Sequence, residues 1–236
     1  MRTIAVIALK GGSGKTTVAS HIALAAHLRG LKTLVADTDP QRSASEVFKA
    51  READGPTCVA AMGQSLFAAQ VAGVGSGMDV MVIDTAAGAV EDVTQAIVVA
   101  NHSLLVVRPT LMDIAAAVRT VDVIRRLRKP ALVVVNQAPT SREGVEPPSV
   151  KRALRAIEVM RLPIVPTLLR ARSIYQSALE TGRSAEECYD VTAAREIAEL
   201  WAFIERFTFG KRKGTALEPK NDGDGEDKDE DLKFAP

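Results

Sequence analysis

Two cysteines, one tryptophan, two tyrosines and six phenylalanines are the whole supply of these residues in 236 positions. Cys58 and Cys188 lie far apart with no metal-ligand spacing. That argues against a disulfide framework, a thiolate zinc site and a paired-cysteine carrier of a metal cluster. They are expected to be reduced, partly buried thiols. The three histidines, His21, His27 and His102, are scattered, and surface or packing roles are expected for them rather than metal ligation. Excess charge is missing too. Thirty Lys and Arg face 29 Asp and Glu, a formal net of +1, so the global basic signature of a nucleic-acid binder is absent and only a local patch remains compatible with that role. No apolar run is long enough to span a bilayer. Met1-Arg2 leads into a short apolar run halted by glycines, unlike a secretory leader, and the expected location is the cytoplasm.

Ala and Val are plentiful instead, and they are arranged in a rhythm. Short apolar, β-branched runs fall at 3–9, 33–36, 80–83, 103–107, 131–135 and 163–165, with a weaker one at 57–60. Between them lie amphipathic stretches at helical spacing, among them 18–28, which Gly30 would close, and 114–127. Strands that are apolar throughout fit a sheet buried on both faces. The alternation predicts an α/β fold: a doubly wound, mainly parallel sheet with helices on both faces. A last helix is expected over 191–207, with Ala194, Ile197, Trp201 and Ile204 on one face. A single folded domain is placed at 1–209. From Gly210 the composition turns charged, and seven of the ten residues 222–231 are acidic. A segment of that kind buries too little apolar surface to offset its ordering entropy, so 210–236 is read as a disordered tail.

The most informative segment is Lys10-Gly11-Gly12-Ser13-Gly14-Lys15-Thr16-Thr17, between the first run and the first helix. Its glycines let backbone N–H groups turn toward phosphate oxygens where a Cβ would obstruct them. The helix that follows directs its positive N-terminus at the same anion. In this pattern Lys15 neutralises the β- and γ-phosphates, and the Thr16 hydroxyl ligates Mg²⁺. The segment therefore predicts a nucleoside triphosphate site, with Mg²⁺ as its metal. It departs from the common form, because Leu9 stands where the first glycine is usual and Lys10 precedes the glycine pair.

The form Lys-Gly-Gly-x-Gly-Lys-Thr-Thr resembles the deviant Walker A box of the ParA/MinD ATPases, and the resemblance runs over about 2–207. It implies an ATP-dependent homodimer in which Lys10 reaches the partner's phosphates. Asp37-Thr38-Asp39-Pro40-Gln41 is similar to the family's second acidic box. Carboxylates at a strand's C-terminal end lie where open α/β folds bind ligands. The resemblance gives Asp37 a place in the Mg²⁺ shell and Asp39 the task of orienting the attacking water; an Asp-Pro turn with capping acids is compatible with both. The run 80–83 ending in Asp84 reads as a Walker B strand whose carboxylate holds Mg²⁺ through water, although Ala86-Ala87-Gly88 replaces the proline the family often has. Asn136 after the run 131–135 is implied to read the adenine edge, with an Asx turn as the other reading. Arg108-Pro109-Thr110 and Asp113 resemble a family strand-to-helix junction, and Asp113 reads equally as a helix-start residue. The chemistry calls for positioning, charge neutralisation and an oriented water. No strong general base is in view, so slow basal ATP hydrolysis is expected.

The 163–184 region resembles small ParA proteins without an N-terminal DNA-binding domain. That implies a partition or cargo-positioning ATPase which binds nonspecific nucleoid DNA as a dimer, with a stimulating partner protein. Candidate phosphate contacts are Lys151, Arg152, Arg155, Arg170, Arg172 and Arg183; the first three share one predicted helix face, and each alone reads also as a solvated charge. The alternative is a MinD-like membrane switch, for which 201–209 is a faint amphipathic candidate. Glu196, Glu199, Glu205 and the acidic tail disfavour it, and the helix reads as core packing.

Overall fold

In the computed structural model, which describes residues 1–210, six of the apolar runs form strands: β1 (Arg2–Ile7), β2 (Thr33–Asp37), β3 (Thr57–Ala60), β4 (Val80–Asp84), β5 (His102–Val107) and β6 (Ala131–Val135). All pair in parallel, in the order β3-β2-β4-β1-β5-β6. The helices are α1 (Lys15–Leu28), α2 (Ser43–Lys49), α3 (Gln64–Gly75), α4 (Val90–Val99), α5 (Leu111–Arg126), α6 (Pro148–Glu158), α7 (Ile174–Glu180) and α8 (Val191–Phe209), with a 3₁₀ turn at Ala185–Glu187. The seventh run, 163–165, is not a strand. Pro163 and Pro166 lack the N–H that a ladder needs, and the segment keeps one bridge, Ile164 to Val133. The charged tail expected at 210–236 lies, apart from Gly210, outside the described residues.

Strand pleating sorts the side chains into two cores. Ile4, Val6, Val80 and Val82 face one layer with α1, α2, α7 and α8. Ala5, Ile7, Met81 and Ile83 face the other, with α3 to α6. Both faces are covered, so the strands are apolar throughout. Helix α8 contributes Ile197, Leu200, Trp201 and Ile204, all without solvent exposure. Its apolar face packs in the first core, as the sequence suggests. Among the described residues no helix is long and apolar enough to cross a membrane. Both cysteines are free and half-buried, and burial pushes the Cys58 thiol up to about 11, which leaves little thiolate at neutral pH.

His21, on α1, is fully buried. Its Nδ1 accepts from the Ala185 backbone N–H at 3.3 Å, so Nε2 carries the proton and donates to the Tyr175 carbonyl at 3.1 Å. One neutral imidazole thus ties the phosphate-loop helix to α7 and the 3₁₀ turn. Burial pulls its pKa down to about 4. Protons therefore bind the unfolded chain more tightly, and the stability His21 supports is complete above about pH 6.5 and declines as pH falls toward 4. Urea denaturation at pH 7.5 and pH 5 tests this. The native chain is expected to lose about 2 kcal/mol more than His21→Gln over that interval; equal losses would remove His21 as the cause.

Candidate functional site

The C-terminal ends of β1, β2, β4 and β6 converge on one crevice, at the centre of the sheet where the chain winds outward in both directions. Beyond β1 the backbone turns through Gly12 and Gly14, with φ of +74° and +87°, and enters α1 at Lys15. No side chain caps α1, so the unpaired N–H groups of its first turn and its positive dipole end face the loop. A Cβ on Gly14 would sit 2.2 Å from the Asn136 amide nitrogen, which excludes any larger residue even before φ is considered. That amide donates to the Ser13 carbonyl at 2.9 Å. The loop is therefore clamped from β6, and its neighbour on the β4 side is Gly88, whose N–H reaches the Leu9 carbonyl at 3.0 Å.

Asp37 and Asp84 are register partners on adjacent strands and extend toward the α1 face. Asp84 is fully buried, and its carboxylate is without a well-formed hydrogen bond, although the Thr16 hydroxyl lies close enough to favour its charge. Burial raises its pKa to about 7, against the opposing pull of Thr16 and Lys15. A buried carboxylate left in this way is a ready cation ligand, and Thr16 stands beside it. Among the described residues no group of three or more His, Cys, Asp or Glu side chains could hold a metal. A hard cation at Asp84 would take its remaining oxygen ligands from phosphate and water, as Mg²⁺ does. Lys15 is nearly buried; burial lowers its pKa, with Asp84 and Asp39 pulling the other way. Its charge is thus held in the crevice with few direct partners.

Asp37, expected in the Mg²⁺ shell, is held by hydrogen bonds at both oxygens. One oxygen accepts from the Asp39 N–H at 3.1 Å, and the other accepts from the Ser45 N–H and hydroxyl at 2.8 and 2.7 Å. It braces the loop that carries Asp39 against α2. Ser45 has no motif of its own in the sequence, and its part shows only in this pairing. Asp39 is half-buried, with one oxygen in an Asx turn to the Gln41 N–H.

Lys10 turns away from the loop. Its ammonium binds Asp113 Oδ2 at 2.7 Å. The same carboxylate takes Arg108 Nε at 2.9 Å and Nη2 at 3.2 Å, together with the Thr110 hydroxyl. Both readings of Asp113 hold, since Thr110 also accepts from its N–H as the cap of α5. Burial works against the Asp113 charge, but these donors outweigh it and the pKa lies below the usual carboxylate range.

On the other side of Asn136 lies a cleft of about 280 Å³ lined by Thr17, Gln137, Arg172 and Tyr175 among others. It is large enough for a planar base beside the phosphate loop. Its wall is a charge network: Glu196 accepts from Arg172 at 2.9 Å, from the Tyr175 hydroxyl at 2.6 Å and from the Arg170 N–H at 2.9 Å.

Three comparisons match this geometry. Residues 4–182 match the family model of the CobQ/CobB/MinD/ParA nucleotide-binding domain. The chain belongs to this family. The Maintenance of carboxysome distribution protein A of Halothiobacillus neapolitanus is 31% identical over 197 residues, 77% of this chain and 85% of that protein. The septum site-determining protein MinD of Pyrococcus horikoshii, complexed with Mg-ADP, superposes with a TM-score of 0.70 at 18% identity, covering 87% of this chain and 96% of that one. A variant of McdA from Cyanothece in complex with ATP gives 0.66 at 17% identity, over 87% and 95% of the two chains.

The ParA/MinD fold separates the six proposed DNA contacts into two groups. Arg170 pairs with Glu146 and Arg172 with Glu196; both guanidiniums are committed within the chain and line the cleft. Each already has a carboxylate partner, so a phosphate would compete with Glu146 or Glu196 for it. Arg183 is exposed just beyond the C-terminal end of α7. Lys151, Arg152 and Arg155 are exposed on α6 as expected. Stability distinguishes the groups. Arg172→Ala is expected to destabilise the chain by about 2 kcal/mol, and Arg152→Ala by no more than about 0.5 kcal/mol, in denaturant titrations. Equal effects would contradict the assignment.

Proposed function

We propose that the chain is a ParA-type ATPase that positions a DNA or protein cargo by cycling on nonspecific DNA. The observation that carries this reading is the doubled lysine of the loop. Lys15 is buried in the crevice, and Lys10, at the start of the same loop, is held on Asp113. Val90 and Met112 expose 43 and 68% of their surface and line, with Lys10, a cleft shared with Leu9 and Arg119; the neighbouring Leu111 is 80% exposed. Apolar side chains in such a setting fit a face that a second copy covers.

In this reading the loop N–H groups and Lys15 hold the β- and γ-phosphates of ATP, and Lys10 adds charge to the triphosphate of the partner subunit. Thr16 and Asp84 would hold Mg²⁺, which would supply charge neutralisation for the triphosphate. Asp39 orients the attacking water, and Asp37 keeps it in place through Ser45. Hydrolysis yields ADP and phosphate. It is slow without a stimulating partner, since only positioning and charge are supplied. Asn136 shapes the loop and borders the base cleft. Relatives carrying Mg-ADP and ATP support the cofactors. The carboxysome distribution protein supports cargo positioning as the use, without identifying the cargo here.

Lys151, Arg152 and Arg155 supply three cations per subunit and six in a dimer, and doubling turns a weak patch into a useful one. A membrane-switching role is disfavoured by the burial of Trp201 and Ile204, which leaves α8 little apolar face for lipid. The test is binding of the purified chain, with ATP or ADP, to nonspecific duplex DNA and to anionic liposomes. ATP-dependent DNA binding is expected, lost in Lys10→Ala and falling on the order of a thousandfold between 50 and 200 mM salt. ATP-dependent liposome binding without DNA binding would overturn the reading in favour of a membrane switch.

A further inference from the structure

Asp113 is shared by two cations. It is the third residue of α5, its side chain is 2% exposed, and it accepts from both Lys10 and Arg108. Lys10 lies 103 positions away in sequence and makes a single contact. Arg108, five positions away, grips both carboxylate oxygens through two nitrogens. The two grips differ in kind. An ammonium bound through one hydrogen bond, with about a third of its side chain exposed, can leave. A two-point guanidinium pair is held by geometry as well as charge.

We propose that Asp113 stores Lys10 on its own subunit in the nucleotide-free state, and that Arg108 sets how readily Lys10 is released. This rests on the reading of Lys10 as a residue that serves the partner's triphosphate. A lysine stored on α5 is unavailable to a second subunit, so release is a step that dimer closure must drive. If Lys10 were the sole partner of Asp113, its departure would leave a buried carboxylate bare and uncompensated. Arg108 and Thr110 stay behind and keep the charge compensated, which brings release within reach of one new phosphate contact. The Arg108 guanidinium also lies 3.8 Å from where a Cβ of Gly12 would be, so the release point adjoins the phosphate loop itself. Asp113 and Arg108 thus act as positioning residues for Lys10.

Opposite signs follow for the two variants. Asp113→Asn frees Lys10 and lowers the protein concentration needed for ATP-dependent dimerisation, by roughly tenfold. Arg108→Gln leaves Lys10 as the main counter-charge of Asp113 and raises that concentration. A purely structural role for the cluster would impair both variants alike, and thermal melts of each show whether the fold is kept. A second readout needs neither ATP nor a dimer: the rate of acetylation of each lysine in the nucleotide-free chain, followed by mass spectrometry. Lys10 is expected to react more slowly than exposed Lys49, faster in Asp113→Asn, and no faster in Arg108→Gln. Equal reactivity of Lys10 and Lys49 in the native chain, or the same change in both variants, would overturn the storage role. If the acetylation pattern appears as expected but Lys10→Ala leaves ATP-dependent association intact, the storage role stands and the partner-subunit reading of Lys10 fails.

Discussion

A buried carboxylate without a well-formed hydrogen bond is among the more costly features a small domain can carry, and Asp84 is one. It is placed by the sheet. Parallel strands end together, so the chain cannot bring β2 and β4 into register without setting Asp37 and Asp84 side by side at one edge. What surrounds Asp84 follows from its charge. Lys15 enters the crevice from the first turn of α1, and Thr16 stands close by. Asp37 is directed into a brace on Ser45, which keeps a second free carboxylate out of the same space. The crevice is thereby negative at its base and positive along its loop, an arrangement suited to a metal-bound polyphosphate.

Around that centre, three separate parts of the chain hold the phosphate loop. Asn136 clamps it from β6, Gly88 pairs with Leu9 from the β4 side, and Lys10 anchors it to α5 through Asp113. The first is a buried bond from a side-chain amide, and the second is a backbone bond. The third is an ion pair whose lysine is about a third exposed and whose carboxylate is buried, and its lysine can exchange. Rigid support on two sides and one releasable tether is the mechanical basis for a site that responds to nucleotide, and His21 carries the same helix into the α7 layer, next to the base cleft.

The local parts of this arrangement were legible in the sequence. Six apolar runs became the six strands, and the glycines and lysines of the loop lie where their spacing puts them, because a strand–turn–helix is built from neighbours. The unread parts are pairings between residues far apart in the chain. Arg170 and Arg172 look like free basic residues until Glu146 and Glu196, each 24 positions away, are folded against them. Asn136 reads as a base contact, and only the 2.9 Å bond to Ser13 shows that it shapes the loop. The run 163–165 has strand composition, but its flanking prolines remove the donors a ladder needs.

The most direct test of the account concerns Asp84, and it is calorimetric titration of ATP with and without Mg²⁺ into the native chain and Asp84→Asn. The account predicts that Mg²⁺ tightens ATP binding to the native chain by at least roughly tenfold, and that Asp84→Asn retains metal-free binding while losing the gain. An Asp84→Asn variant that keeps the full Mg²⁺ effect would show that this carboxylate does not hold the metal, and the site would have to be rebuilt around another group.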